Sequence, residues 1–244
     1  MKYINTVKAI FIDRPNRFIA NVRLEDGRVE TVHVKNTGRC RELLILGVEV
    51  MLQDAYAPVE DKGHDDSLIS SYNPARKTRF DLIAVKKEGI GWINIDSQVP
   101  NKVVNEWLKK GNTLFKQLDV IRPEYKYGNS RVDYYLEKGN KSILMEVKGC
   151  TLEIEGTGYF PDAPTQRGVK HLKELGQACK AGFECYLAFV IAINGVDVVY
   201  PNIAMHPEFG TSLQEAREQG LKILYLECFV SEDEIYVVNV KQSE

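Results

Sequence analysis

The sequence predicts an α/β (α+β) chain of 244 residues, with a small N-terminal β-barrel followed by a mixed sheet flanked by helices. Three observations carry that prediction. Short strand-like runs broken by glycine turns fill the chain up to about residue 55. After about residue 80, apolar residues recur at helical spacing in segments that alternate with strand-like ones. The run 185–193 is apolar throughout, the pattern of a strand buried on both faces. The expected division is a domain over 1–80 and a second over 81–244, without internal repeats or low-complexity segments.

In the first part, 18–23 and 28–34 flank Asp26-Gly27 and read as a hairpin. With those two residues as the turn, Glu25 faces Arg28 and Arg23 faces Glu30, two opposite-charge pairs. Residues 37–44 read as one helical turn and 47–53 as a further strand. The polar stretch 54–76, with Pro58, Gly63, Asn73 and Pro74, reads as a long loop near the junction.

In the second part, 80–86 and 92–96 form a hairpin closed by Glu88-Gly89, and Pro100-Asn101 opens a helix to about 118. Strands follow at 132–137 and 142–148, and then a helix at 165–180 with Val169, Leu172, Leu175 and Cys179 on one face. The apolar strand, a short helix at 213–219 and strands at 222–229 and 235–240 complete the chain.

Composition narrows the function classes. Hydrophobic residues are 44% and charged residues 27% of the chain, too apolar for disorder. The net charge of −2 excludes binding of nucleic acid by bulk charge, so a local basic face is required. The five cysteines are odd in number and no two have CxxC spacing, which argues against a disulfide framework or a zinc site and fits buried thiols in a reducing compartment. The longest apolar run, 186–193, is too short to span a bilayer, and the N-terminal residues lack a signal-peptide core. The expectation is a cytoplasmic protein with no membrane partner.

The chemistry-bearing segment is 130–148. With Gly139-Asn140 as a two-residue turn, Lys138 faces Lys141, and Asp133 lies directly opposite Glu146. Lys148, two residues on, points to the same side, while Ile143, Met145 and Val147 point to the other. Two opposed carboxylates repel by roughly 0.2–1 kcal/mol, so a positive charge between them is expected. Oxygen-only ligands suit Mg2+ or Mn2+ better than zinc. Such an ion polarises a phosphoryl oxygen and a water, with Lys148 placed to orient the water or balance charge. On pattern alone, a solvated face carrying a salt bridge accounts for the same residues.

The residues also resemble a known family. Glu124, Ser130-Arg131-Val132-Asp133, Glu146-Val147-Lys148-Gly149 and Thr151-Leu152 are similar to the sugar fermentation stimulation protein A family. So are Phe160-Pro161-Asp162-Ala163, Thr165, Arg167-Gly168 and Lys170-His171-Leu172. Matching stretches earlier in the chain are Asn36-Thr37-Gly38-Arg39, Glu42-Leu43-Leu44, Gly47, Arg76-Lys77-Thr78, Asp81-Leu82, Asp96-Ser97 and Pro100-Asn101. The resemblance implies an N-terminal OB-fold and a C-terminal restriction-endonuclease-like domain of the PD-(D/E)xK type. Asp133, Glu146 and Lys148 match its catalytic triad, with Val132 where the motif has proline and Asp133 and Glu146 as metal ligands. Pro161-Asp162 is a literal PD but follows the ExK element, so it is not the triad's. Glu106 and Glu124 are candidates for an extra acidic ligand.

Arg167 and His171 lie at i and i+4 on the expected polar side of the helix, with Lys170 beside them, a candidate phosphate-contacting edge. Gly156 and Gly158 suggest a mobile loop before it. In the barrel, Arg39, Arg41, Arg76, Lys77 and Arg79 are candidate phosphate contacts, each equally well explained as solvated charge. His33, His64 and His206 are assigned no catalytic role. The expected function is DNA binding with a Mg2+- or Mn2+-dependent nuclease site. RNA is an alternative partner, and homo-oligomerisation is left open. The alternatives are a DNA-binding regulator of sugar utilisation that keeps the scaffold without turnover, and a sugar-binding protein, in which the paired carboxylates have no role.

Overall fold

The computed structural model describes residues 1–36, 38–58, 67–70, 72–73 and 75–243. Thr37 of the expected helical turn, and Gly63, His64 and Pro74 of the expected loop, lie outside the described residues. The first stretch of chain forms β1 (Lys2–Tyr3), β2 (Thr6–Asn16), β3 (Ile19–Leu24), β4 (Val29–Val34), β5 (Glu49–Asp54), β6 (Leu68–Ile69), β7 (Phe80–Lys87) and β8 (Gly91–Asn94). Helix α1 (Val99–Lys109) precedes β9 (Val120–Tyr127), β10 (Ser130–Lys138), β11 (Lys141–Cys150), β12 (Leu152–Ile154) and β13 (Thr157–Phe160). Then come α2 (Gln166–Lys180), β14 (Glu184–Ile191), β15 (Val199–Pro201), α3 (Pro207–Glu218), β16 (Lys222–Val230) and β17 (Ile235–Gln242).

The chain divides into two units. The first comprises Met1–Glu106 with Ala192–Gly195 and Cys228–Tyr236; the second comprises Trp107–Ile191, Val196–Glu227 and Val237–Glu244.

In the first unit, β4, β3, β2, β5 and β7 pair in that order, and a parallel pairing of β4 with β7 closes them into a five-stranded barrel. Alternate residues fill it, with Ala20, Val22, Val32, Val34, Val50 and Leu52 all buried. The β3–β4 hairpin forms, one residue out of the expected register: Arg23 pairs with Val29, not Glu30. The loop holds three residues rather than two, because Leu24 and Arg28 bond across it and Gly27 takes the left-handed conformation (φ 86°). Arg28 finds its acids at Asp26 and Glu30 instead.

Strand β7, Phe80 to Val85 of which is buried, closes the barrel, so the change of pattern near residue 80 falls inside the first sheet and not at its edge. Residues 41–43 form the expected turn, with Leu43 and Leu44 bonding back to Cys40. Helix α1 ends at Lys109, short of the expected 118, where Gly111 (φ 75°) and the side chain of Asn112, which caps Leu114 and Phe115, redirect the chain.

The second unit is built on a six-stranded sheet of order β17-β16-β14-β11-β10-β9. Strands β9, β10 and β11 are antiparallel neighbours, whereas β11, β14 and β16 are parallel and are joined through α2 and α3. Every residue of β14 after Glu184 is buried, as its unbroken apolar run predicts. Thr165 caps α2, its hydroxyl accepting the Gly168 N–H at 3.1 Å, and Val169, Leu172 and Leu175 form the buried face. Helix α3 begins before the expected 213, at Pro207, with Phe209, Leu213 and Ala216 inward. The expected mobile loop at Gly156 and Gly158 is a hairpin, β12–β13, in a separate three-stranded sheet with β15. Gly158 is needed there, since a Cβ would sit 2.8 Å from the Val198 carbonyl.

None of the five cysteines is in a disulfide; Cys179 is half-buried and the other four are buried. Among the described residues, no helix is long and apolar enough to cross a membrane.

Candidate functional site

Strands β10 and β11 form the expected hairpin. Lys138 pairs with Lys141 across Gly139-Asn140, and the register continues to Tyr134 opposite Met145. There the ladder gives way to a side chain: the Asp133 carboxylate accepts the main-chain N–H of Val147 at 2.7 Å. Strand alternation puts Asp133, Glu146 and Lys148 on one face of the sheet and Met145 and Val147 on the other.

Glu146 lies on an interior strand of that sheet and is only 2% exposed. Its Oε1 accepts two hydrogen bonds, one from the Lys148 ammonium at 2.5 Å and one from Nδ1 of His171 on α2. Its Oε2 is buried and has no hydrogen-bond partner among the described residues. Burial pushes the carboxyl up, but His171 and Lys148 outweigh it, and Glu146 titrates below the usual carboxylate range. It is therefore an anion at neutral pH.

His171 is buried, contrary to its expected place on the polar side of the helix. The stripe of Val169, Leu172 and Leu175 is wide enough to carry His171 inward with it. Arg167 Nε donates to His171 Nε2 at 3.4 Å. That leaves the imidazole proton on Nδ1, where it is donated to Glu146. The chain Arg167–His171–Glu146–Lys148 thus links an exposed guanidinium to the buried acid. Arg167 and Lys170 are exposed, and Lys170 reaches Glu174 at 3.7 Å.

The remaining candidates are placed less centrally. Glu106 pairs with the N-terminal ammonium of Met1 at 2.9 Å. Glu124 is exposed and pairs with Arg131 at 2.9 Å, its backbone in the left-handed region (φ 56°) where the β9–β10 ladder skips Asp133. Among the described residues, no three His, Cys, Asp or Glu side chains form a group that could hold a metal.

In the barrel unit, Arg39, Arg41, Lys77 and Arg79 are exposed. Arg76 is not a free cation: its guanidinium is bidentate to buried Asp81 at 2.5 and 2.8 Å, the geometry of an internal ion pair. Arg79 is likewise paired with Asp54 at 2.7 Å. The sequence reading missed Arg14, whose guanidinium bonds the carbonyls of Arg17, Asn36, Gly38 and Arg39 and so sets the loop that presents Arg39. Nothing in the local pattern marks an arginine for that task.

The model of the sugar fermentation stimulation protein RE domain matches residues 98–234, and that of the family's N-terminal OB domain matches residues 12–95. The chain belongs to the sugar fermentation stimulation protein family. Relatives in the family named sugar fermentation stimulation protein homolog include one from Desulfitobacterium hafniense (strain DSM 10664 / DCB-2). It is 53% identical over 235 residues, 96% of this chain and 94% of that protein. Another, from Clostridium beijerinckii, is 50% identical over 237 residues, 97% of this chain and 96% of that one. The solved structure of Pyrococcus furiosus SfsA in complex with Ca2+ is similar over 98% of this chain and 96% of that one, with a TM-score of 0.77 and 26% identity. The barrel of the first unit is accordingly an OB-type barrel.

Proposed function

We propose that the protein binds DNA and hydrolyses phosphodiester bonds at a divalent-cation site on Asp133 and Glu146. The observation that carries this reading is the Glu146 carboxylate: one oxygen is anchored by Lys148 and His171, and the other is buried, without a partner among the described residues, on the face that also carries Asp133. A buried anionic oxygen without a donor is costly, and a hard cation relieves that cost. An all-oxygen donor set fits Mg2+ or Mn2+, which bind through one or two carboxylates and take the rest of their ligands from water and phosphate. The Ca2+ complex of the Pyrococcus furiosus relative, another hard oxygen-seeking cation, supports the same reading.

When bound, the cation supplies Lewis-acid polarisation of a phosphoryl oxygen and of water. The chain's own groups do the rest. Lys148 places an ammonium beside the acid pair, where it balances negative charge gathering on phosphorus or passes a proton. Val147 N–H and His171 hold the two carboxylates in position. The exposed Arg167 and Lys170 contact backbone phosphates, and Arg39 and Arg41 do so on the barrel.

A second reading, DNA binding without turnover, is favoured by the Lys148–Glu146 pair, which already compensates the acid. The discriminating test is cleavage of single- and double-stranded DNA during Mn2+ titration, comparing the wild type with Glu146→Gln. Cleavage lost in the variant supports the enzyme. Equal inertness beside salt-sensitive duplex binding supports the second reading.

A further inference from the structure

A second polar cluster sits on the other face of the same sheet. There the beginnings of β11 and β14 border an open cleft of about 530 Å3. Alternation along β11 sends Ile143 to this face and Glu146 to the opposite one. The floor is apolar: Phe115, Ile143 and Tyr186 are buried, and the Phe115 and Tyr186 rings meet edge to face at 5.2 Å.

The rim is cationic. Lys138 and Lys141 are register partners on either side of the Gly139-Asn140 turn, an unfavourable juxtaposition of like charge. Lys222 enters from β16, where it is in register with Tyr186. The acid among the described lining residues, Glu184, already accepts from Lys222 at 2.5 Å and from the Tyr186 hydroxyl at 2.6 Å, and it pairs with Lys141 at 3.3 Å. Lys138 has no anionic partner among the described residues. Among the residues that line the cleft, three lysines stand against one glutamate, a net of two positive charges in a concave site with an apolar wall, where fields are strongest; the Asp119 carboxylate is taken up by the Gly139 N–H of the turn at 2.7 Å.

We infer that this cleft binds a small organic dianion, a phosphate monoester whose phosphate is held by Lys138, Lys141 and Lys222 and whose body rests on Phe115, Ile143 and Tyr186. The charge count favours a monoester over a polynucleotide. A phosphodiester carries one charge per phosphorus and spreads its charges along a strand, whereas the cleft gathers two at one point. Asn140 and Gln242 at the rim supply hydrogen bonds to a hydroxylated body. This site is independent of the acid pair and stands whether or not that pair cleaves DNA.

The test is calorimetric titration of the full chain at low salt with phenyl phosphate, glucose 6-phosphate, inorganic phosphate and phenol. Saturable binding of an organic monoester, tighter than inorganic phosphate and absent for phenol, is expected; whichever monoester binds tighter identifies the body as aromatic or hydroxylated. Lys138→Ala should weaken it about tenfold, the loss of one charge-assisted contact. Lys138→Arg should restore it, and Glu146→Gln should leave it unchanged. The inference is overturned if no monoester binds saturably, if Lys138→Ala binds as the wild type does, or if duplex DNA displaces the monoester.

Discussion

The Asp133 carboxylate accepts the main-chain N–H of Val147 across two strands, so one acid of the candidate site is fixed by the backbone between Glu146 and Lys148. Asp133 therefore has a structural task besides any chemical one, and substitutions can separate the two. Asp133→Asn keeps an acceptor for Val147 and should leave the melting temperature near wild type while abolishing stabilisation by Mn2+. Asp133→Ala leaves that N–H unsatisfied and should also cost about 1–3 kcal/mol. Thermal unfolding with and without Mn2+ checks both.

Replacing His171 removes a buried donor to Glu146. His171→Leu should destabilise the fold by about 1.5–3 kcal/mol, the range for a hydrogen bond to a charged group. Arg167→Gln, at an exposed position, should change stability little and lower duplex affinity, with a smaller salt slope. Denaturant titration and salt-dependent binding read the two effects.

Arg76 and Arg39 should behave oppositely. Asp81 is 1% exposed and relies on the bidentate Arg76, so Arg76→Ala should cost about 3 kcal/mol, with Lys35 and His33 limiting the loss. Its folded fraction should bind DNA as the wild type does. Arg39→Ala should leave stability unchanged and weaken DNA binding. Urea unfolding alongside fluorescence anisotropy settles the assignment.

Acid should expose the Glu184 cluster. Although burial raises it, Lys222, Tyr186 and Lys141 together hold its pKa down to about 2, against an ordinary 4.5. A folded pKa below the unfolded one contributes stability that is full above pH 4.5 and lost as pH falls towards 2. Glu184→Gln should flatten that part of the stability curve. If the variant loses stability on acidification as steeply as the wild type, the cluster is not its source.

The β10–β11 register was readable because its turn is two residues long and every pairing follows from it. The β3–β4 register slipped because Asp26-Gly27 resembles the same kind of turn, yet Glu25 joins the loop. Closure of the barrel by β4 and β7 was not readable, since a parallel pairing between distant segments leaves no local mark. That is why β7 was placed with the second domain. Strands β12, β13 and β15 are three or four residues long, too short for a period to register. In the site, the turn and the alternation of the hairpin put Asp133, Glu146 and Lys148 on one face in the sequence as they are in the structure, while their assignment as a triad came from the family resemblance. The burial of His171 was hidden because a histidine at the border of an apolar stripe fits either side.

Because the acids share one hairpin, their juxtaposition depends on short-range chain closure. Hairpins close in about 1–10 μs, whereas the parallel alignment of β11 with β14 must await the crossover through α2. The two carboxylates therefore meet early in folding, before the helix that brings His171 has docked. A one-residue slip in the register of that hairpin would turn one of them to the other side of the ribbon.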